Sequence, residues 1–271
     1  MPELPEVETT VRGLRVVLTG ERLAAVALHR ADLRRAFPHG LVQRLVGARI
    51  TGIERRAKYG LIATDRDDTL VFHLGMSGRM RLDPAAIGKH DHVVFTTDTA
   101  RVVAFNDARR FGSLDLVATD ALASYPPFAG LGPEPFGAAL TPAYLRAAFA
   151  DRIAPAKALL LDQRVIAGLG NIYVCEALFL ARIHPARVGG GVPHAKLDAL
   201  IPAIRSVLTA AIEAGGSSLR DYAQVDGELG YFQKQFAVYG REGLPCPRCR
   251  RAVKRVFQTG RSSFFCSWCQ H

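Results

Sequence analysis

Four of the five cysteines, Cys246, Cys249, Cys266 and Cys269, form a C-x2-C-x16-C-x2-C pattern at the carboxyl end of the 271-residue chain. Two paired thiolate knuckles at this spacing suit one tetrahedral zinc ion. With all four positions filled by thiolate no coordination site stays open, so the metal is structural rather than catalytic. At the other end the chain begins Met1-Pro2-Glu3-Leu4-Pro5-Glu6. A small second residue permits removal of Met1, which would leave Pro2 as a free secondary amine. An α-amine titrates near pKa ~8 and can act as a nucleophile at neutral pH, where an ordinary lysine cannot. Attack of that amine on a sugar C1′ gives an iminium cation that drives later eliminations, and Glu3 beside it could move protons. Read alone, Pro2 is better taken as the plain start of a helix.

Between these ends lie further groups with chemistry to offer. Asn106-Asp107-Ala108-Arg109-Arg110-Phe111-Gly112 sets two guanidinium groups beside an aromatic ring and a glycine, a pattern that suits phosphate clamping and a wedge into a base stack. A strand end with a buried Phe reads the same way. Gly75-Met76-Ser77-Gly78 offers an unbranched apolar side chain on a loop, or core filler. His90 and His92 share one face if a strand starts there, as a possible metal pair or as surface or DNA-facing histidines. Gly168-Leu169-Gly170-Asn171 is a tight turn into a helix, whose exposed N–H groups suit a phosphate or are simply capped by Asn171.

These residues must be held by ordinary elements. Helical spacing of Val7, Val11, Leu14 and Leu18 predicts a helix over residues 1–18. Short apolar runs at 23–29, 48–55, 60–64, 69–74, 92–97, 101–105 and 113–117 predict a β-sandwich or barrel. A Pro- and Gly-rich stretch from Tyr125 to Gly137 reads as a linker, and helices follow from Pro142, over 155–162, over 171–181 and over 194–214, the last bent at or begun by Pro202. Lys254–Gln258 and Ser262–Phe265 read as a hairpin around Thr259-Gly260-Arg261, which places Arg261 near the tip, where it is a ligand for an anion or a solvated turn residue. The fold class expected is α+β and multidomain.

Charge narrows the partner. The formal net charge is +10 and the isoelectric point about 9.7, which favours a polyanion such as nucleic acid or an acidic membrane face. Residues 241–271 carry seven Arg and Lys against Glu242 alone, more than half of the excess. No apolar run approaches the ~18 residues of a membrane span. The acidic start carries no signal-peptide pattern, so the expected location is the cytoplasm.

Taken together and in order, these segments resemble the formamidopyrimidine-DNA glycosylase family nearly end to end. The resemblance rests on Pro2 to Thr9, Arg56-Ala57-Lys58-Tyr59, His73 to Gly78, Lys89 to His92, Arg109 to Gly112, Leu131 to Pro135, Gly170 to Tyr173 and the cysteine module. It implies an N-terminal β-sandwich with a leading helix (1–130), a helix-two-turn-helix domain with a lesion-capping loop (131–235) and a zinc-finger hairpin (236–271), with duplex DNA in the cleft between and the target nucleotide flipped out. By the same resemblance Pro2 forms the Schiff base, Glu3 assists base loss, Lys58 serves β-elimination and Arg261 δ-elimination. Met76, Arg109 and Phe111 fill the void left by the flipped base. Lys58, His90, Lys157, Asn171 and Arg261 contact phosphates, Arg152 is a candidate for a further DNA contact, and residues 217–224 close over an oxidised purine.

The implied activity is base-excision repair of formamidopyrimidines and 8-oxoguanine opposite cytosine, by a monomer with one structural zinc. An endonuclease VIII-type enzyme acting on oxidised pyrimidines and a non-enzymatic zinc-ribbon DNA-binding protein are the alternatives. Two departures from the family pattern stand out: Ala108 where proline is common, and Cys175, read as a buried thiol.

Overall fold

The computed structural model describes residues 2–218 and 223–271. Helix α1 (Leu4–Leu18) buries Val7, Val11, Leu14 and Leu18 along one stripe, as their spacing requires. Its start is fixed by a capping box between Glu3 and Glu6 and by Pro5 in the first turn. Strands β1 (Leu23–Leu28), β2 (Ile50–Arg56), β3 (Tyr59–Thr64), β4 (Asp68–His73), β5 (Arg79–Leu82), β6 (Asp91–Thr97), β7 (Val102–Asn106) and β8 (Ser113–Ala118) follow, with a short helix α2 (Leu41–Leu45) between β1 and β2. They form two antiparallel four-stranded sheets, ordered β1-β6-β7-β5 and β2-β3-β4-β8.

Leu23, Val93, Phe95, Val103 and Phe105 from one sheet meet Ile50, Ile53, Ile62, Leu70, Phe72 and Leu114 from the other in a single core, joined by the apolar stripe of α1. This is the expected sandwich with a leading helix. Strand β5 was not expected, because Arg79-Met80-Arg81-Leu82 has too few apolar residues to register as a run. Met80 is nonetheless 1% exposed, and the strand pairs with β7 through Arg79↔Asn106 to Leu82↔Val103.

The chain divides into two compact units, residues 1–129 with 212–231, and residues 130–211 with 232–271. In the second, α4 (Pro142–Phe149) is capped by the Thr141 side chain, and α5 (Ala156–Leu161), α6 (Asn171–Leu180) and α7 (His194–Glu213) follow. The proline-rich stretch is not all loop, since Pro126–Ala129 makes one helical turn, α3. Helix α7 runs through Pro202 rather than starting there.

The second unit ends in a hairpin of β9 (Lys254–Gln258) and β10 (Arg261–Phe265). Thr259 (φ 48°) and Gly260 (φ 76°) form its two-residue turn, the doubly positive-φ geometry that suits the twist of paired strands. Arg261 is therefore the first residue of β10, paired with Gln258.

Candidate active site

In the first unit the amino-terminal residues are locked by hydrogen bonds. Pro2, Glu3 and Glu6 are all buried. The Glu3 N–H donates to Glu6 Oε2 at 2.8 Å, and the Ser217 N–H donates to Glu6 Oε1, also at 2.8 Å. One carboxylate thus ties the residue after Pro2 to the start of the 217–224 segment; residues 219–222 of that segment lie outside the described residues. As N-cap of α1 in extended conformation, Glu3 sits at the positive end of the helix, where a carboxylate is favoured.

Lys58 occupies the two-residue turn between β2 and β3 and is 9% exposed. Its turn includes Ala57 at φ 53°, and the Arg55 guanidinium donates to the Ala57 carbonyl at 2.9 Å. The same guanidinium donates to Glu8 Oε2 on α1 at 3.0 Å. Burial raises the Glu8 pKa, but hydrogen bonds from Arg12 and Arg55 outweigh it and hold the carboxyl below its usual range. The turn that carries Lys58 is in this way bonded to the helix that begins at Leu4.

His73 closes β4 opposite Tyr59, with ring centroids 4.8 Å apart. Its Nδ1 accepts the Gly75 N–H at 3.0 Å, so the proton of the neutral ring is on Nε2. Burial, and then the positive charges of Lys58, Arg34 and Arg35, push its pKa down to about 4. The ring is a neutral donor beside the Lys58 ammonium at physiological pH.

Met76 and Phe111 are 37% and 42% exposed, unusual for side chains of their type. The Arg109 guanidinium lies 5.0 Å from the Phe111 ring centroid. The two loops touch backbone to backbone: a Cβ on Gly75 would sit 2.3 Å from the Phe111 carbonyl carbon, and Gly75 has φ 65°. Only glycine fits there. His90 precedes β6, and its carbonyl accepts the Asp107 N–H at 2.9 Å. His92 departs from the surface position expected of it: it is 6% exposed, with Nε2 donating to the Asp107 carbonyl at 2.8 Å, and its ring centroid lies 6.3 Å from that of His90.

In the second unit Asn171 is the first residue of α6, and its Nδ2 donates to the Ser262 carbonyl at 3.0 Å. Lys157 donates to the same carbonyl at 2.9 Å and to Ser263 Oγ at 2.7 Å. Expected at a phosphate, Lys157 has no exposed surface at all. A buried ammonium needs fixed acceptors, and it finds them on the hairpin. Both residues therefore grip the peptide next to Arg261. The Arg261 side chain is exposed, with no ion pair or hydrogen bond among the described residues. Arg152 is also exposed, and its Nε donates to the Ala148 carbonyl at 3.4 Å.

The cysteine cluster fits zinc. Its four sulfurs lie within 4.8 Å of one another, with Cys249–Cys266 at 3.4 Å and Cys246–Cys269 at 3.9 Å. A tetrahedron with Zn–S of about 2.3 Å has edges of about 3.8 Å. Desolvation and hydrogen bonding among the sulfurs push the Cys269 thiol up to about 12, so four thiolates need a cation between them. Cys175 on α6 is 1% exposed and packs with Phe179, Val238, Cys246, Val253, Phe264 and Cys266, a buried thiol that joins the helix to the metal module.

Three family models match the chain: the formamidopyrimidine-DNA glycosylase N-terminal domain over residues 1–114, the H2TH domain of the same enzymes over 131–223, and the zinc finger found in FPG and IleRS over 243–271. The formamidopyrimidine-DNA glycosylase of Novosphingobium aromaticivorans is 64% identical over the full length of both chains. The chain belongs to the formamidopyrimidine-DNA glycosylase family. Among solved structures, wild-type Lactococcus lactis Fpg in complex with DNA containing N7-benzyl-Fapy-dG superposes with a TM-score of 0.91 at 33% identity, covering 99% of each chain. A MutM complex with DNA containing carbocyclic 8-oxo-G gives 0.91 at 34%, also covering 99% of each.

Membership in this family supplies the activity, a DNA glycosylase with AP lyase action, and one structural zinc. Several groups that shape the site had escaped the sequence reading. Glu6 stands three residues after Glu3, the capping-box spacing, which is the local signal that would have found it. The Glu8–Arg55 contact joins residues 47 apart and leaves no local signal. Asp107 carries no sequence signal beyond its place in the wedge segment, because its partners Ser77 and His92 come from other parts of the chain.

Proposed function

We propose that this chain removes oxidised purines, formamidopyrimidines and 8-oxoguanine, from duplex DNA and then cleaves the strand, with the reaction starting at the amine of Pro2 once Met1 is gone. The amine forms a bond to C1′ as the glycosidic bond breaks and the base leaves, with Glu3 donating the proton that assists departure. The resulting iminium acidifies C2′, so loss of a C2′ proton expels the 3′ phosphate, the step served by Lys58. A second elimination, served by Arg261, expels the 5′ phosphate and leaves a one-nucleotide gap.

The observation that carries this reading is the arrangement around Glu3. A carboxylate directly after the terminal proline is buried, capped into α1 and fixed through Glu6. Lys58 and His73 supply hydrogen-bond donors for phosphate in the same unit. Arg261, with its backbone fixed by Lys157 and Asn171, supplies another from the second. Lys157 in this scheme acts through the hairpin. Met76, Arg109 and Phe111 fill the space left by the flipped nucleotide, His90 and Arg152 contact the backbone, and residues 217–224 cover the base.

We further propose that one chain acts alone on each duplex, in the cytoplasm; no helix among the described residues is long and apolar enough to cross a membrane. Borohydride reduction in the presence of duplexes carrying 8-oxoguanine, an oxidised pyrimidine or no lesion tests the reading. Trapping on the purine lesion is expected. Trapping only on the pyrimidine would select endonuclease VIII-type specificity, and no trapping on any lesion would end the covalent mechanism. Light scattering of the trapped complex should give the mass of one chain plus one duplex.

A further inference from the structure

We infer that Asp107 is the positioning residue that holds Met76, Arg109 and Phe111 in one preformed arrangement, through a single buried carboxylate bonded to both loops that carry the wedge, and that its backbone ties His90 to them. Asp107 is completely buried. Its Oδ1 accepts the Ser77 hydroxyl at 2.6 Å and the Arg109 N–H at 3.3 Å, and its Oδ2 accepts the Gly112 N–H at 2.7 Å. Ser77 Oγ in turn accepts the Arg109 N–H at 3.1 Å. Ser77 adjoins Met76, while Arg109 and Gly112 bracket the wedge. One side chain therefore sets the separation of the two loops.

Its backbone sets a third group. The Asp107 N–H donates to the His90 carbonyl at 2.9 Å, and its own carbonyl accepts from His92 Nε2 at 2.8 Å. The segment from 107 to 112 needs such bracing. Arg110 sits at φ 58°, a conformation that costs free energy for a residue with a Cβ. Ala108 contributes none of the backbone stiffness a proline would. Bonds from a hydroxyl and two N–H groups to one carboxylate are charge-assisted, stronger than neutral ones, and leave both oxygens satisfied. There is little slack, because a Cβ on Gly112 would meet Phe105 at 2.7 Å and the His73 carbonyl at 3.0 Å.

The inference rests on the wedge reading given above, and its test separates the two. Asp107→Asn keeps shape but replaces one accepting oxygen by an amide NH2 and removes the charge, so either the Ser77 hydroxyl or the Gly112 N–H loses its carboxylate acceptor and the bonds that remain are no longer charge-assisted. Stopped-flow fluorescence of 2-aminopurine next to 8-oxoguanine reports opening of the duplex. Cleavage of a single-stranded abasic oligonucleotide, which has no base stack to wedge, reports the Pro2 chemistry alone.

Duplex opening by Asp107→Asn is expected to slow on the order of tenfold to a hundredfold, with single-strand cleavage within about twofold of wild type. Ser77→Ala should slow opening in the same direction and to a smaller extent, and it decides the matter by the same criteria if Asp107→Asn does not fold. Normal opening by Asp107→Asn beside slowed opening by Phe111→Ala would overturn the inference and leave the wedge reading standing. Normal opening by Phe111→Ala would remove that reading and the inference with it. Equal losses on duplex and single strand would show Asp107 to be a support of the whole fold, which also overturns the inference.

Discussion

The head of α1 and the zinc hairpin hold their charged residues in opposite ways. At the head of α1 the carboxylates of Glu3 and Glu6 are buried and fixed by a helix cap and backbone N–H groups. On the hairpin Arg261 is exposed and its guanidinium lacks any partner among the described residues, while the backbone beneath it is clamped by buried Lys157 and Asn171. On the proposed mechanism, acid chemistry needs a proton donor at one place, and the acid is immobilised. The proposed capture of a phosphate by Arg261 needs an available cation on a rigid support, and here the support is immobilised while the guanidinium is not. The four-cysteine cluster serves the second arrangement, because the module behind the hairpin is too small to hold itself by apolar burial alone.

The strongest way to break this contrast is at Glu3. Glu3→Gln keeps the cap geometry and removes the acid, so excision of 8-oxoguanine should fall 10²- to 10⁴-fold, while a ready-made abasic site is still cleaved. Equal loss of both activities would mean that the residue only maintains structure. Removal of zinc is next. Chelation should collapse the hairpin and abolish duplex binding while the sandwich keeps its unfolding transition, as calorimetry and gel shift would show. Retained binding after complete metal loss would contradict the role given to the module.

A smaller effect is expected at His73, whose folded pKa of about 4 lies below its ordinary 6.5. Above pH 6.5 the ring is neutral whether folded or not and stability is level. As pH falls from 6.5 to 4 only the unfolded chain takes up the proton, so stability drops, by about 3 kcal/mol in all. His73→Gln should flatten that part of the stability–pH curve in denaturant titrations; an unchanged slope would show that the ring is not held neutral by its surroundings. Smallest is Lys157→Met, which leaves the Ser262 carbonyl with one fewer donor at a local cost of about 1–3 kcal/mol. It should lower hydrogen-exchange protection of β10 and shift products from δ- toward β-elimination. Weaker binding with an unchanged product ratio would instead make Lys157 a direct phosphate ligand.

Local chemistry was the legible part of the sequence. Two cysteine knuckles, a proline followed by an acid, and alternating apolar runs are short-range patterns, and each corresponds to an element or cluster in the structure. The rest depended on pairings across the chain. Arg79-Met80-Arg81-Leu82 looks like a polar turn until β7 is there to pair with it. His92 reads as a surface histidine until the Asp107 carbonyl meets it. A lysine near a helix start gives no sign that its ammonium will be buried against a strand 105 residues later. Long-range hydrogen bonds to backbone leave no periodicity behind.

The central claim is that the reacting nitrogen belongs to Pro2. Peptide mapping by mass spectrometry of the borohydride-reduced complex with 8-oxoguanine DNA measures this directly. The sugar adduct is expected on the amino-terminal peptide, attached to a proline from which Met1 has been removed. An adduct on Lys58, or full activity in protein that retains Met1, would contradict it.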